Sequence, residues 1–182
     1  MNIPNILTTL RVALIPILVL FYCLPFAWSY WAASIVFALA SFTDWLDGYL
    51  ARRWKQNTPF GAFLDPVADK LLVAVALVLL VENHQSLFIL LPALVIISRE
   101  IVVSALREWM AEIGARAQVA VSQLGKWKTA AQMLALVILL ANPPVMTIWV
   151  ALGYFFLMIS AVLTLWSMLN YLRAALPHLH HK

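Results

Sequence analysis

Apolar stretches and short breaks alternate along the whole chain, and the pattern predicts six helices, over residues 7–25, 30–53, 66–81, 87–110, 124–141 and 146–173. Runs near 20 apolar residues match the thickness of a bilayer, so each reads as a transmembrane helix. The breaks carry turn chemistry: Pro25 in the first, 57–61 in the second, 82–86 in the third, 114–118 in the fourth, and Asn142-Pro143-Pro144 in the fifth. Pro92 falls inside the fourth stretch, which a membrane helix tolerates with a kink. Arg11 interrupts the first run and no small-x-small cleavage site follows Phe26, so it reads as a retained helix rather than a signal. The opening residues 2–11 read as a short interfacial helix, with Pro4 suited to a first turn. Asn5, Thr8 and Arg11 recur at three-residue spacing and share one stripe, facing headgroups or substrate, or serving as a snorkelling anchor. No repeat or low-complexity tract is visible. The expected fold is all-α: one polytopic membrane domain over 1–182.

Composition agrees. Hydrophobic residues make up 64% of the chain and charged ones 11%, against roughly a quarter in soluble domains. The mean hydropathy is +0.92. Cys23 is the only cysteine, so no intramolecular disulfide can form, and it is expected to be a small core residue. His84 reads as a loop residue, and the terminal histidines His178, His180 and His181 as an exposed polar end.

Charge fixes the expected orientation. The first, third and fifth breaks contain no Lys or Arg, and all twelve basic residues fall on the other side or at helix ends facing it. The positive-inside rule makes that side cytoplasmic, and an even number of spans brings both termini to it. A short N-terminus without a transit peptide suits a bacterial plasma membrane.

Four of the eight acidic residues lie on that same side, beside apolar runs: Asp44, Asp47, Asp65 and Asp69. Carboxylates in or beside spans are costly and need a partner or a task. Spacings of three and four put each pair on one helical face, and two helices joined by a short loop bring the faces together. Converging carboxylates suit hard divalent cations such as Mg²⁺, Mn²⁺ or Ca²⁺, and four can hold two ions. With no Cys or His in the cluster, zinc is disfavoured. The structural alternatives are Asp65 as an N-cap ahead of Pro66, and ion pairs from Asp44 and Asp47 to Arg52 or Arg53. Gly48 permits close approach of a ligand or of another helix. Arg52, one turn on, can lean over the same face and match phosphate oxygens.

Asp44, Asp47, Gly48, Ala51, Arg52, Gly61, Asp65 and Asp69 fill every fixed position of a pattern that resembles the signature of the CDP-alcohol phosphotransferases. The resemblance implies a six-span fold, a homodimer and a phosphotransferase that uses divalent metal, Mg²⁺ or Mn²⁺, with two ions. It implies that Asp44, Asp47 and Asp65 are chiefly metal ligands and that Asp69 is ligand and general base. Asn5, Thr8, Asp44, Gly48, Arg52 and Gly61 would bind the cytidine diphosphate part of the donor, CDP-diacylglycerol. The opening 2–11, Arg99-Glu100, Leu106-Arg107-Glu108 and the stretch 125–132 resemble, more narrowly, the bacterial branch that makes phosphatidylglycerophosphate. That implies glycerol 3-phosphate as acceptor.

Such a dianion needs a basic pocket, and Arg99, Arg107, Lys126 and Lys128 lie on the correct side. Their plain alternative is topology, with salt bridges to Glu100, Glu108 or Glu112. Two other readings compete. One is a sister enzyme acting on inositol phosphate, serine or choline. The other is a cation transporter, against which stand the absence of a repeat and the position of the acids toward one face. The remaining expected partners are membrane lipids; no nucleic acid is expected.

Overall fold

The computed structural model describes the backbone of residues 3–54, 59–112 and 123–179, and the side chains of 7–44, 46, 61, 63–110 and 127–173. Among the described residues every regular element is helical. The helices are α1 (Ile3–Cys23), α2 (Ser29–Trp54), α3 (Pro59–His84), α4 (Leu87–Glu112), α5 (Gln123–Leu140) and α6 (Ile148–Leu179). The six predicted stretches are all present.

Two boundaries differ from expectation. The opening residues do not form a separate interfacial helix, because α1 runs unbroken from Ile3. The third helix starts at Pro59, so Pro66 lies inside it and Asp65 is no N-cap. The run Phe63-Leu64 extends the apolar, helix-compatible sequence back past Pro66. As the eighth residue of α3, Pro66 removes one internal hydrogen bond, a loss that helices packed in a bundle tolerate. Pro92 is inside α4, as the pattern predicts.

Local chemistry fixes the turns. Gln85 takes φ of 45°, a left-handed residue that stops α3, and its N–H reaches Val81 O at 3.1 Å. Ser86 Oγ then accepts the Phe88 N–H at 3.3 Å, and Thr147 Oγ1 accepts the Val150 N–H at 3.3 Å. Each hydroxyl caps a helix start whose amides have no partner within the helix.

Buried residues form one stripe per helix. On α2 it is Ala33, Val36, Phe37 and Ala40; on α3 it is Ala68, Leu72, Ala76 and Leu80; on α5 it is Leu136, Leu139 and Leu140. Helical spacing of three and four dictates these faces. Alanines recur in them, small side chains that let helix backbones approach closely. Gly153 shows the closest case. A β-carbon there would meet Leu139 Cγ at 2.6 Å. The outward faces are apolar too, with Trp31, Ile35, Val78, Leu91, Ile101 and Trp166 exposed. By length and composition, Leu87–Met110 and Ile148–Arg173 could each cross a membrane, and Leu7–Cys23 and Trp127–Leu140 are shorter apolar helices.

Contacts give the helix directions. The start of α1 meets the start of α3 and the late part of α2 through Arg11, and its end meets Asn83 of α3 through Tyr22. Late α4 meets late α6, and early α5 meets late α4. Neighbouring helices in sequence therefore alternate in direction, and two polar ends result. The smaller end holds Asn83, which donates to Tyr22 Oη at 2.9 Å, and His84, 3.0 Å from Tyr154 Oη. His84 is thus the last residue of α3 with a specific partner rather than a loop residue. Cys23 is exposed, not a core residue, because α1 turns its buried stripe elsewhere, through Leu18 and Tyr22.

Candidate active site

The larger polar end continues the buried stripes. Four residues on from Ala40, the inner face of α2 reaches Asp44. Preceding Leu72 on α3, the same stripe carries Asp65, Ala68 and Asp69, and preceding Leu18 on α1 it carries Arg11. The periodicity that packs the bundle therefore delivers three carboxylates and a guanidinium to one place.

They meet closely. Arg11 Nη1 lies 2.9 Å from Asp44 Oδ1, 3.1 Å from Asp65 Oδ1 and 2.5 Å from Asp69 Oδ1. The Arg11 side chain is 0% exposed, while the three carboxylates are 36%, 40% and 41% exposed. The guanidinium forms the floor and the carboxylates the rim. Thr8, one turn earlier on α1, is also buried, and Gly61 is half-buried near the start of α3. The side chains of Asn5, Asp47, Gly48, Arg52 and Lys126 lie outside the described residues.

Do these groups suit a divalent ion? All the donors are carboxylate oxygens, the chemistry a hard cation takes. Their Oδ1 atoms already surround a single positive nitrogen. Among the described residues no three carboxylate, His or Cys side chains are grouped closely enough to hold a metal ion by themselves. The donor set fits the ion, while in this arrangement its oxygens are turned to Arg11.

A second polar cluster lies between α4, α5 and α6. Arg99 Nη1 donates to Glu100 Oε1 at 2.7 Å, and Lys128 Nζ reaches the same oxygen at 3.1 Å. Arg99 Nη2 donates to Ser167 Oγ at 3.2 Å, and Arg107 Nη2 to Tyr171 Oη at 2.8 Å. Both guanidiniums also lie over the Tyr171 ring, at 5.8 Å for Arg99 and 5.2 Å for Arg107. Lys70, next to Asp69, pairs with Ser104 of α4. The structure thus joins Arg99, Arg107 and Lys128 in one network, and the salt bridge to Glu100 read from sequence as their plain alternative is formed as well.

Sequence reasoning missed the α6 side of this cluster. Ser160, Thr164, Ser167 and Tyr171 follow one another at spacings of four, three and four, a polar stripe in an apolar helix, and that spacing was the available signal. Ser160 pairs with Gln132 of α5 at 3.4 Å. Thr164 Oγ1 and Arg99 Nε are buried with no hydrogen-bond partner. Buried polar atoms rarely stay unpaired, so both mark a place where a polar ligand would be welcome. Arg11 was singled out only as one of a stripe, without its partners.

A carboxylate cluster and a basic, hydroxyl-lined cluster thus lie toward the same end of an apolar helical bundle. The model of the CDP-alcohol phosphatidyltransferase family matches residues 1–166, and the chain belongs to that family. Its relatives sharpen the comparison. The chain is 70% identical to the CDP-diacylglycerol–glycerol-3-phosphate 3-phosphatidyltransferase of Pseudomonas fluorescens over 98% of its own length and 92% of that protein's. It is 58% identical to the proteins of the same name from Shigella flexneri serotype 5b and Escherichia coli K12, over 96% of this chain and 94% of each relative.

Proposed function

We propose that this protein transfers the phosphatidyl group of CDP-diacylglycerol to glycerol 3-phosphate, giving phosphatidylglycerophosphate and CMP, as the names of its relatives say of them. The observation that carries this is the convergence of Asp44, Asp65 and Asp69 on one cation position, next to a basic cluster that can take a phosphate dianion. Asp44, Asp47, Asp65 and Asp69 would hold divalent metal, Mg²⁺ or Mn²⁺, with room in the chemistry for two ions. When bound, such ions supply positive charge against the donor diphosphate and the leaving nucleotide.

The chain's own residues do the rest. Asp69 takes the proton from the acceptor hydroxyl, as a base within hydrogen-bond reach must. The hydroxyl oxygen bonds to the phosphorus that carries diacylglycerol, and the bond from that phosphorus to the CMP oxygen breaks. Gly48, Arg52, Gly61, Asn5 and Thr8 hold the cytidine diphosphate. Arg99, Arg107, Lys126 and Lys128 hold the acceptor phosphate, with Thr164, Ser167 and Tyr171 completing that pocket. A dianion justifies the two buried cations Arg99 and Lys128 at one site; an uncharged alcohol would not.

The apolar outer faces support a multi-pass arrangement in a bacterial plasma membrane, with all six helices spanning and the carboxylate end toward the cytoplasm. The acyl chains of the donor then stay in lipid while its headgroup enters the polar end. A single domain over 1–182 and a homodimer belong to the same reading.

The test is a purified-enzyme assay of CMP release from CDP-diacylglycerol with a panel of alcohols, with and without chelator. Glycerol 3-phosphate should be the preferred acceptor, and chelation should abolish release until Mg²⁺ or Mn²⁺ is returned. Release with inositol phosphate, serine or choline but not with glycerol 3-phosphate would replace the acceptor. Full activity under chelation would remove the metal.

A further inference from the structure

Arg11 sits where the proposed metal would sit. Its Nη1 engages the Oδ1 atoms of Asp44, Asp65 and Asp69 at 2.9, 3.1 and 2.5 Å, and its side chain is wholly buried beneath them. A divalent ion held by those same carboxylates would stand within a few ångströms of the guanidinium, so the two cations compete for one set of negative charges. Coordination at about 2.1 Å draws them inward onto the ion. The same move would press a dication against a fixed positive nitrogen. A cluster of partly buried carboxylates without any cation is itself costly, since like charges repel and burial withholds water from them.

We propose that Arg11 is the built-in counter-cation of the carboxylate cluster: it holds Asp44, Asp65 and Asp69 gathered and neutralised while metal is absent, and metal loading displaces its guanidinium. The proposal rests on the metal-dependent reading above. Arg11 is therefore a positioning residue that competes with metal. It keeps the bundle end folded between turnovers and makes tight metal binding conditional on a second event that gives the guanidinium a new anion. The donor diphosphate has the right chemistry, because guanidinium pairs with phosphate oxygens as it does with carboxylates. A side chain with several rotatable bonds can make that exchange without moving α1.

Substitution separates this from a plain structural role. Mn²⁺ binding to detergent-purified full-length protein is followed by the paramagnetic resonance of free Mn²⁺, beside thermal melting without metal. Arg11→Gln should melt lower when metal-free, and should bind Mn²⁺ at least ~10-fold more tightly, because no guanidinium has to leave first. Arg11→Lys, which keeps a charge there, should bind Mn²⁺ within about 3-fold of the parent. A structural arginine would give the lower melting temperature with unchanged or weaker Mn²⁺ binding, and that result overturns the proposal.

If Arg11→Gln fails to fold, the parent protein decides. In ¹⁵N-arginine-labelled protein, the guanidinium signal assigned by its loss in Arg11→Lys should change on Mg²⁺ addition. An unchanged signal at saturating Mg²⁺ overturns the proposal. No Mn²⁺ binding by the parent protein or by Arg11→Gln, with or without CDP-diacylglycerol, would remove the metal-dependent reading and this inference with it. Equal binding by parent and Arg11→Gln would remove this inference alone.

Discussion

At the scale of single residues, the two polar clusters differ in how they balance charge. Among the described residues around Arg11, three carboxylates meet one cation, an excess of negative charge that invites a further cation. Around Glu100 the ratio inverts, with Arg99 and Lys128 on one carboxylate oxygen, leaving an excess that invites an anion. Opposite excesses suit a metal-bound donor and an anionic acceptor. Arg99→Gln removes a charge-assisted donor from the second cluster, an interaction of about 1.5–3 kcal/mol. KM for glycerol 3-phosphate should therefore rise about 10- to 100-fold, with KM for CDP-diacylglycerol unchanged. Steady-state kinetics varying each substrate in turn check this. An equal rise for both substrates would place Arg99 in general structure.

At the scale of elements, α5 and α6 depend on one missing side chain. Leu139 is wholly buried, so its Cγ has no room to retreat from a β-carbon at Gly153 only 2.6 Å away. Gly153→Ala should cost about 1–3 kcal/mol, the usual penalty of overpacking. Thermal melting in detergent should show a transition lowered by several degrees, and Gly153→Ala combined with Leu139→Ala should recover part of the loss. The consequence reaches the site, because α5 carries Lys128 and Gln132 while α6 carries Ser160 to Tyr171. A wider α5–α6 spacing should weaken acceptor binding more than donor binding.

At the scale of the whole molecule, alternating helix directions bring Arg11, Asp44, Asp65, Asp69, Arg99, Glu100 and Lys128 to one end and leave Tyr22, Glu82, Asn83, His84 and Tyr154 at the other. With Cys23 replaced by Ser, a single cysteine at Met146 should react with a membrane-impermeant maleimide in right-side-out vesicles, and one at Glu108 only after permeabilisation. Both positions are exposed, so accessibility reports side rather than burial. The reverse pattern would invert the orientation and put the carboxylates outside.

The order of six helices, the helical class of the described elements and the meeting of Asp44 with Asp65 and Asp69 were legible in the chain itself. They depend on local quantities: apolar run length, three- and four-residue spacing, and breakers such as Asn142-Pro143-Pro144. The start of α3 at Pro59 was not legible, because Pro66 is a helix-start residue in isolation and an interior one only when its neighbours continue the helix. Nor was the partner of Arg11, fifty-four residues from Asp65 along the chain. No local pattern says that Arg11 faces Asp44, Asp65 and Asp69, or that Tyr171 stands against both Arg99 and Arg107. Those pairings depend on how the helices are rotated against one another. Packing of Ala33, Ala68 and their neighbours sets that rotation, and packing is a property of the assembled bundle.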